Sequence, residues 1–316
     1  MTSEEELHTV ADALESSLAV VGCGPRGTAA ADAFGDAARA SAPSDPGGPG
    51  RPVDRQAIVA ALALADVADE LGSGAGTNGE GPAGADSPTL ASLEAAFRDR
   101  SCFAIVLASV PSSFGGASAA ALDRVREAGD AVVLVRDGEL REALAELLAL
   151  VGDTGVVNLD LADVRTLLSP DGLGVLSRGS APSSNPKTAV ADGLRRLVSV
   201  ADVGTAGGAL VDVVGTPQLS VDEAAALVDR VRSRLDDDAH VIWGTAVEDA
   251  PADQIGPDGR VLVRLLISDV DPPEPTLVPG DPCPRCGGRL SGYSLGERTT
   301  IACDGCGYAG VSNRRE

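Results

Sequence analysis

Lysine is all but missing from this chain: of 25 basic residues in 316, only Lys187 is not an arginine. Aromatic side chains are nearly as scarce, with four phenylalanines, two tyrosines and one tryptophan. So few aromatics fit helices and parallel strands packed through Ala, Val and Leu better than an aromatic-rich β-sandwich. No run of about 18 apolar residues occurs, so no membrane-spanning helix is expected. The start, Met1-Thr-Ser-Glu-Glu-Glu, carries no basic region of the kind that opens a secretory leader. The chain therefore reads as cytoplasmic. The shortage of cations also argues against nucleic acid as a partner, since tracking a phosphate backbone requires them.

What is abundant is acid. The 47 acidic residues bring the net charge to −22. An acidic, lysine-poor, Ala/Asp/Gly-rich composition is that of a protein from an extreme halophile. Its carboxylates hold water and cations at the surface, and their mutual repulsion is screened when the Debye length falls to about 3 Å near 1 M salt. Six cysteines are present, four of them in two CxxC pairs; Cys23 and Cys102 lie in apolar, strand-like surroundings as small hydrophobes.

Along the chain, strand-like and helix-like segments alternate. Leu18-Ala-Val-Val21 reads as a strand, followed by a glycine turn and an Ala-rich helix running to Ala40. Ile58–Leu62, Cys102–Ala108 and Ala131–Val135 read as further strands, with helices ending near Gly72, over 89–99 and over 117–128. The segment 139–151 places Leu140, Leu144, Leu147, Leu148 and Val151 on one helical face. Alternating βα units predict a parallel sheet wrapped by helices. Later come a flexible stretch at 177–185, a helix over 186–200, a strand at 208–214, a capping box at Ser220–Glu223 opening a helix to about Leu235, and strands at 240–244 and 261–267. The proline-rich residues 269–282 read as a linker.

Between these halves lies Asn158-Leu-Asp160-Leu-Ala-Asp163-Val164-Arg165, with polar acceptors at i, i+2 and i+5. Three such groups can hold a water or hydrated cation; they also suit a helix N-cap. The pattern N-x-D-x-x-D-V-R resembles the T7 "synergy" loop of FtsZ, the tubulin-like GTPase of prokaryotic cell division. The runs Gly208–Val214, Leu219–Ala224 and Leu235–Thr245 are similar in order and spacing to the C-terminal domain of archaeal FtsZ. The resemblance implies a parallel-sheet α/β nucleotide-binding domain over 1–152 that includes a central helix. A smaller α/β domain would cover 153–270. It implies, too, that Asn158, Asp160 and Asp163 act catalytically in trans, positioning water in the GTPase site of a neighbouring FtsZ-type subunit, or of a second copy of this chain.

The same resemblance breaks at the phosphate loops. Gly22, Gly24, Gly27 and Thr28 stand where the first loop belongs, and also form a G-x-G-x-x-G that opens a Rossmann-like alternative. Pro25 removes a backbone N–H from that loop. Gly115 and Gly116 are what remains of the family's glycine-dense loop, and Ala61-Leu-Ala-Leu stands in place of its N-T-D element. Gly74–Gly79 is a candidate for the loop near the γ-phosphate or a flexible insert. GTP or GDP binding, if retained, is expected to be weak.

Finally, Cys283-Pro-Arg-Cys286 and Cys303-Asp-Gly-Cys306, with sixteen residues between the pairs, have the spacing of a zinc ribbon over 283–310 behind a linker at 271–282. Four thiolates around Zn²⁺ make a closed, structural site. So small a module needs the metal to fold. Arg285, Arg289, Arg298, Arg314 and Arg315 give it a modest basic face, and the acidic body favours a protein partner.

Overall fold

The computed structural model describes residues 18–32, 57–73, 87–98, 102–152, 157–168, 172–247, 259–281, 283, 285–286, 288–295 and 298–311. Strands β1 (Leu18–Gly22), β2 (Ala57–Ala63), β3 (Phe103–Val110) and β4 (Ala131–Arg136) alternate with helices α1 (Gly24–Asp32), α2 (Leu64–Ser73), α3 (Pro88–Ala96) and α4 (Gly116–Arg126). Helices α5 (Leu140–Gly152) and α6 (Leu161–Leu167) lead to β5 (Leu173–Pro182), α7 (Lys187–Leu197), β6 (Gly208–Gly215), α8 (Val221–Arg232), β7 (His240–Val247) and β8 (Arg260–Ser268). The expected loop at Gly74–Gly79 and the expected helix beyond Asp32 fall outside the described residues.

All eight strands form one sheet in the order β1-β2-β3-β4-β5-β8-β6-β7. Strands β1 to β5 are parallel, β8 runs antiparallel between β5 and β6, and β6 pairs parallel with β7. The seam between the halves is narrow: β4 and β5 pair only over Val132–Leu134 against Leu173–Val175. Every residue of β2 and β3 is buried. Alternate residues serve opposite faces, as the period of two requires: Ala104, Val106 and Ala108 join one apolar cluster, Phe103, Ile105 and Leu107 the other. Helices α2, α3, α4, α7 and α8 cover the first face; α1, α5 and α6 cover the second.

Helix α5, 13 residues and about 20 Å long, is the central helix. Leu140, Leu144 and Leu147 are buried and Leu148 and Val151 partly so, as the leucine periodicity predicts. The same face buries Glu146. Its carboxylate accepts from Arg264 Nε of β8 at 2.7 Å and pairs with Arg178 of β5. Arg264 Nη1 donates in turn to Asp212 of β6 at 2.7 Å. Central helix and second half of the sheet are thus joined by an ionic network that, apart from the half-exposed Arg178, lies beneath the surface.

The stretch expected to be flexible at 177–185 is instead largely strand, the inner strand β5. Ser177 and Gly179, loop-like in composition, are small because α7 lies directly on them. A Cβ at Gly179 would come 1.9 Å from the carbonyl oxygen of Ala189, and Ser177 Oγ donates to the Gly193 carbonyl. The capping box at Ser220–Glu223 is present as expected. No helix among the described residues is long and apolar enough to cross a membrane.

Candidate functional site

The Asn158–Arg165 segment follows the central helix and is fastened to β7. Val157 exchanges backbone hydrogen bonds with Thr245, at 3.2 and 3.1 Å, and Leu159 is buried. Alternation then leaves Asn158 and Asp160 exposed. Asp160 is the N-cap of α6: its Oδ1 accepts from the N–H of Ala162 at 2.7 Å and of Asp163 at 3.0 Å. Asp163 Oδ2 reciprocates by accepting from the Asp160 N–H at 2.9 Å. The two carboxylates are therefore brought together as a capping box, and Asn158 stands two residues away on the same extended stretch. One oxygen of each carboxylate remains without a hydrogen bond among the described residues. Arg165 is anchored by lying over the Phe103 ring, 5.3 Å from its centroid.

At the other end of the sheet, where open α/β sheets bind ligands beyond the carboxyl ends of their strands, Gly22 closes β1 and Gly24 opens α1. Gly24 has φ +70, and a Cβ there would meet Thr89 Oγ1 at 2.6 Å. Gly27 lets α1 lie on β2, since a Cβ would come 2.0 Å from the Ala61 carbonyl oxygen. The Thr28 hydroxyl is turned back onto the Gly22 carbonyl. Each of these residues thus has a packing reason for its identity. Cys23, between the glycines, is fully buried, and burial pushes its thiol up to about 12, which makes it inert.

The first turn of α1 already has an acceptor. Asp66, whose side chain is 10% exposed, accepts from the Arg26 N–H at 3.1 Å and ion-pairs with its guanidinium at 3.0 Å. Gly115 is the N-cap of α4 and Gly116 its first residue, without any side-chain cap. Across them runs the linker: the Thr276 N–H donates to the Phe114 carbonyl at 2.7 Å, and a Cβ at Gly115 would touch the Thr276 carbonyl oxygen at 3.6 Å.

The cysteines converge. All four Sγ atoms of Cys283, Cys286, Cys303 and Cys306 lie within 4.8 Å of one another. The closest approaches join the knuckles crosswise, Cys283 to Cys306 at 3.6 Å and Cys286 to Cys303 at 3.5 Å. Tetrahedral Zn–S bonds of 2.3 Å require sulfur separations of about 3.8 Å, so this donor set fits the metal. Backbone hydrogen bonding from Cys306, the bond from Cys286 and the Gly305 backbone hold the Cys303 thiol down to about 7. A three-stranded sheet, β9 (Ser291–Leu295), β10 (Arg298–Ala302) and β11 (Ala309–Val311), carries the second knuckle between β10 and β11.

Several of these residues were not anticipated. Asp212 and Arg264 interrupt otherwise apolar strands, a legible sign of a buried pair. Asp66 on α2 gave no such sign, because only the fold shows which helix end it faces.

A doubly wound α/β sheet with a central helix, an acidic loop at its foot and a glycine turn at the carboxyl ends of its strands defines a protein of tubulin-like architecture. Residues 172–262 match the family model described as the FtsZ family, C-terminal domain. Cell division protein FtsZ 1 of Halobacterium salinarum is 29% identical over 65% of this chain and 54% of its own length. Cell division protein FtsZ 1 of Methanocaldococcus jannaschii is 34% identical over 43% of this chain. This chain therefore spans about half the length of the first of these relatives and 36% of the second. The M. jannaschii FtsZ dimer structure superposes with a TM-score of 0.55 at 19% identity, covering 85% of this chain and 92% of that one. Residues 172–262 thus resemble the C-terminal domain of the FtsZ family, and the chain shares the fold of the FtsZ structure.

Proposed function

We propose that this protein is a cell-division or cytoskeletal protein that binds FtsZ-type subunits longitudinally through its Asn158–Arg165 loop, with weak or no GTPase activity of its own. The observation that carries this reading is the exposed Asn158 and Asp160 with the half-buried Asp163 at the foot of the central helix, while at the opposite end of the sheet the strand-end glycines are taken up by packing. Docked on the nucleotide face of a neighbour, the free oxygens of Asp160 and Asp163 orient an attacking water, and Asn158 holds that water or a phosphate oxygen. The opposite face gives the next subunit little to bind, so the protein caps or modulates filaments in the cytoplasm and does not extend them. The ribbon holds one structural Zn²⁺ in its four thiolates and presents a surface for a protein partner.

The test is substoichiometric addition to a polymerising FtsZ from the same cell in high salt, following GTP hydrolysis and polymer length. Alanine at 160 and 163 would also break the α6 cap. The informative variant is Asp160→Ser with Asp163→Gln, which keeps a capping box but removes both carboxylates. Wild type should change hydrolysis or length and the variant should not; equal effects from both, or none from either, would refute the reading.

A further inference from the structure

The crevice at the carboxyl ends of β1 and β2 is lined by two helix N-termini, those of α1 and α3. Free N–H groups and serine or threonine hydroxyls at such ends are the usual holders of phosphate. Here each end is already matched by an acid from one helix. Asp66 accepts the Arg26 N–H of α1. One turn on, Glu70 accepts from the Thr89 N–H at 3.1 Å, from Thr89 Oγ1 at 2.8 Å and from the Ser87 hydroxyl, all at the start of α3. The two ends meet, because a Cβ at Gly24 would lie 2.6 Å from Thr89 Oγ1 and 3.1 Å from Asp66 Oδ2. A carboxylate that accepts one backbone N–H and two hydroxyls makes the bonds a phosphate oxygen would make, and the negative charge suits both helix dipoles.

We propose that Asp66 and Glu70 are built-in substitutes for nucleotide phosphates, which close this crevice to anions and let the N-terminal half of the fold stand without a nucleotide. This deepens the reading of a subunit with little GTPase activity and rests on it, and it assigns the loss to two acids on α2 as well as to missing glycines. A phosphate entering the wild-type crevice would meet the Glu70 carboxylate, an Asp66 carboxylate already paired with Arg26, and donors already engaged.

The experiment uses the full chain, with inorganic pyrophosphate as the probe and chloride of matched ionic strength as the control. Wild type should show no rise in thermal midpoint with millimolar pyrophosphate. Asp66→Ala plus Glu70→Ala should lower the midpoint, and pyrophosphate should restore at least half of the loss, as a ligand selective for the folded state must. By titration calorimetry, the variant should bind pyrophosphate about tenfold or more tightly than wild type. If the alanine variant does not fold, Asp66→Asn plus Glu70→Gln keeps an acceptor at each helix end and should show the same gain in affinity. A folded variant indifferent to pyrophosphate would overturn this proposal alone. Tight GTP binding by wild type would overturn it together with the reading of a weak nucleotide site.

Discussion

Replacing Glu146 by alanine should be among the most damaging single changes in this protein. The side chains of Arg264, Glu146 and Asp212 are 10%, 9% and 8% exposed, so the guanidinium spends both of its 2.7 Å bonds on carboxylates away from water. Removing Glu146 takes away one of the two carboxylates that hold that buried cation, a change that costs about 3–5 kcal/mol. Because the pair is buried, high salt should screen it little. Arg178, 51% exposed, is the internal control: its guanidinium is open to water, its removal leaves Glu146 paired with Arg264, and Arg178→Ala should cost less than about 1 kcal/mol. Urea unfolding in concentrated KCl can be followed by Trp243 fluorescence, which reports the β7 side of the core, and by far-ultraviolet circular dichroism for the whole chain. With an m-value of about 3 kcal/mol/M, the midpoint should fall by 1 M or more in Glu146→Ala. The two probes, coincident in wild type, should separate, since the α5 link to β6 and β8 is cut. A Glu146→Ala cost no larger than that of Arg178→Ala would refute the idea that the buried network joins the halves.

Purified protein should contain about one zinc per chain, and Cys303→Ser should render the ribbon protease-sensitive while the sheet persists; metal analysis with limited proteolysis decides this. Asp160→Ala should cost about 1 kcal/mol by exposing the first N–H groups of α6, whereas Asp160→Ser should be nearly neutral, as read from chemical denaturation. Burial raises the Glu70 carboxyl, but the bonds from Ser87 and Thr89 outweigh it and hold it below the ordinary range. Its contribution is therefore full above the unfolded glutamate value of about 4.3 and lost as pH falls through the lower folded value. The stability gap between wild type and Glu70→Gln should accordingly be constant near neutrality and close in acid; a gap that widened as the pH fell would contradict the assigned cause.

The sequence by itself determined the local units: the apolar runs that become β3, β4, β6 and β8, the leucine face of α5, the Ser220 capping box and the two cysteine knuckles. Each is set by neighbours within a turn or a pleat, so periodicity and spacing suffice. It also carried the order of segments in which the family likeness is legible. Only the tertiary structure decided that β5 is an inner strand, because Gly179 is read as flexible until α7 is laid upon it. The same holds for the single sheet, whose halves meet over three residue pairs of β4 and β5. Asp160 and Asp163 could be read either as a cap or as water-holding acids. The fold shows them capping α6 with an oxygen each to spare. Asp66 and Glu70 were only two acids on a helix until the chain brought the starts of α1 and α3 against them. Such pairings join residues 17 to 118 positions apart. Side-chain charge is written in the sequence, but the partner that gives it meaning is chosen by packing.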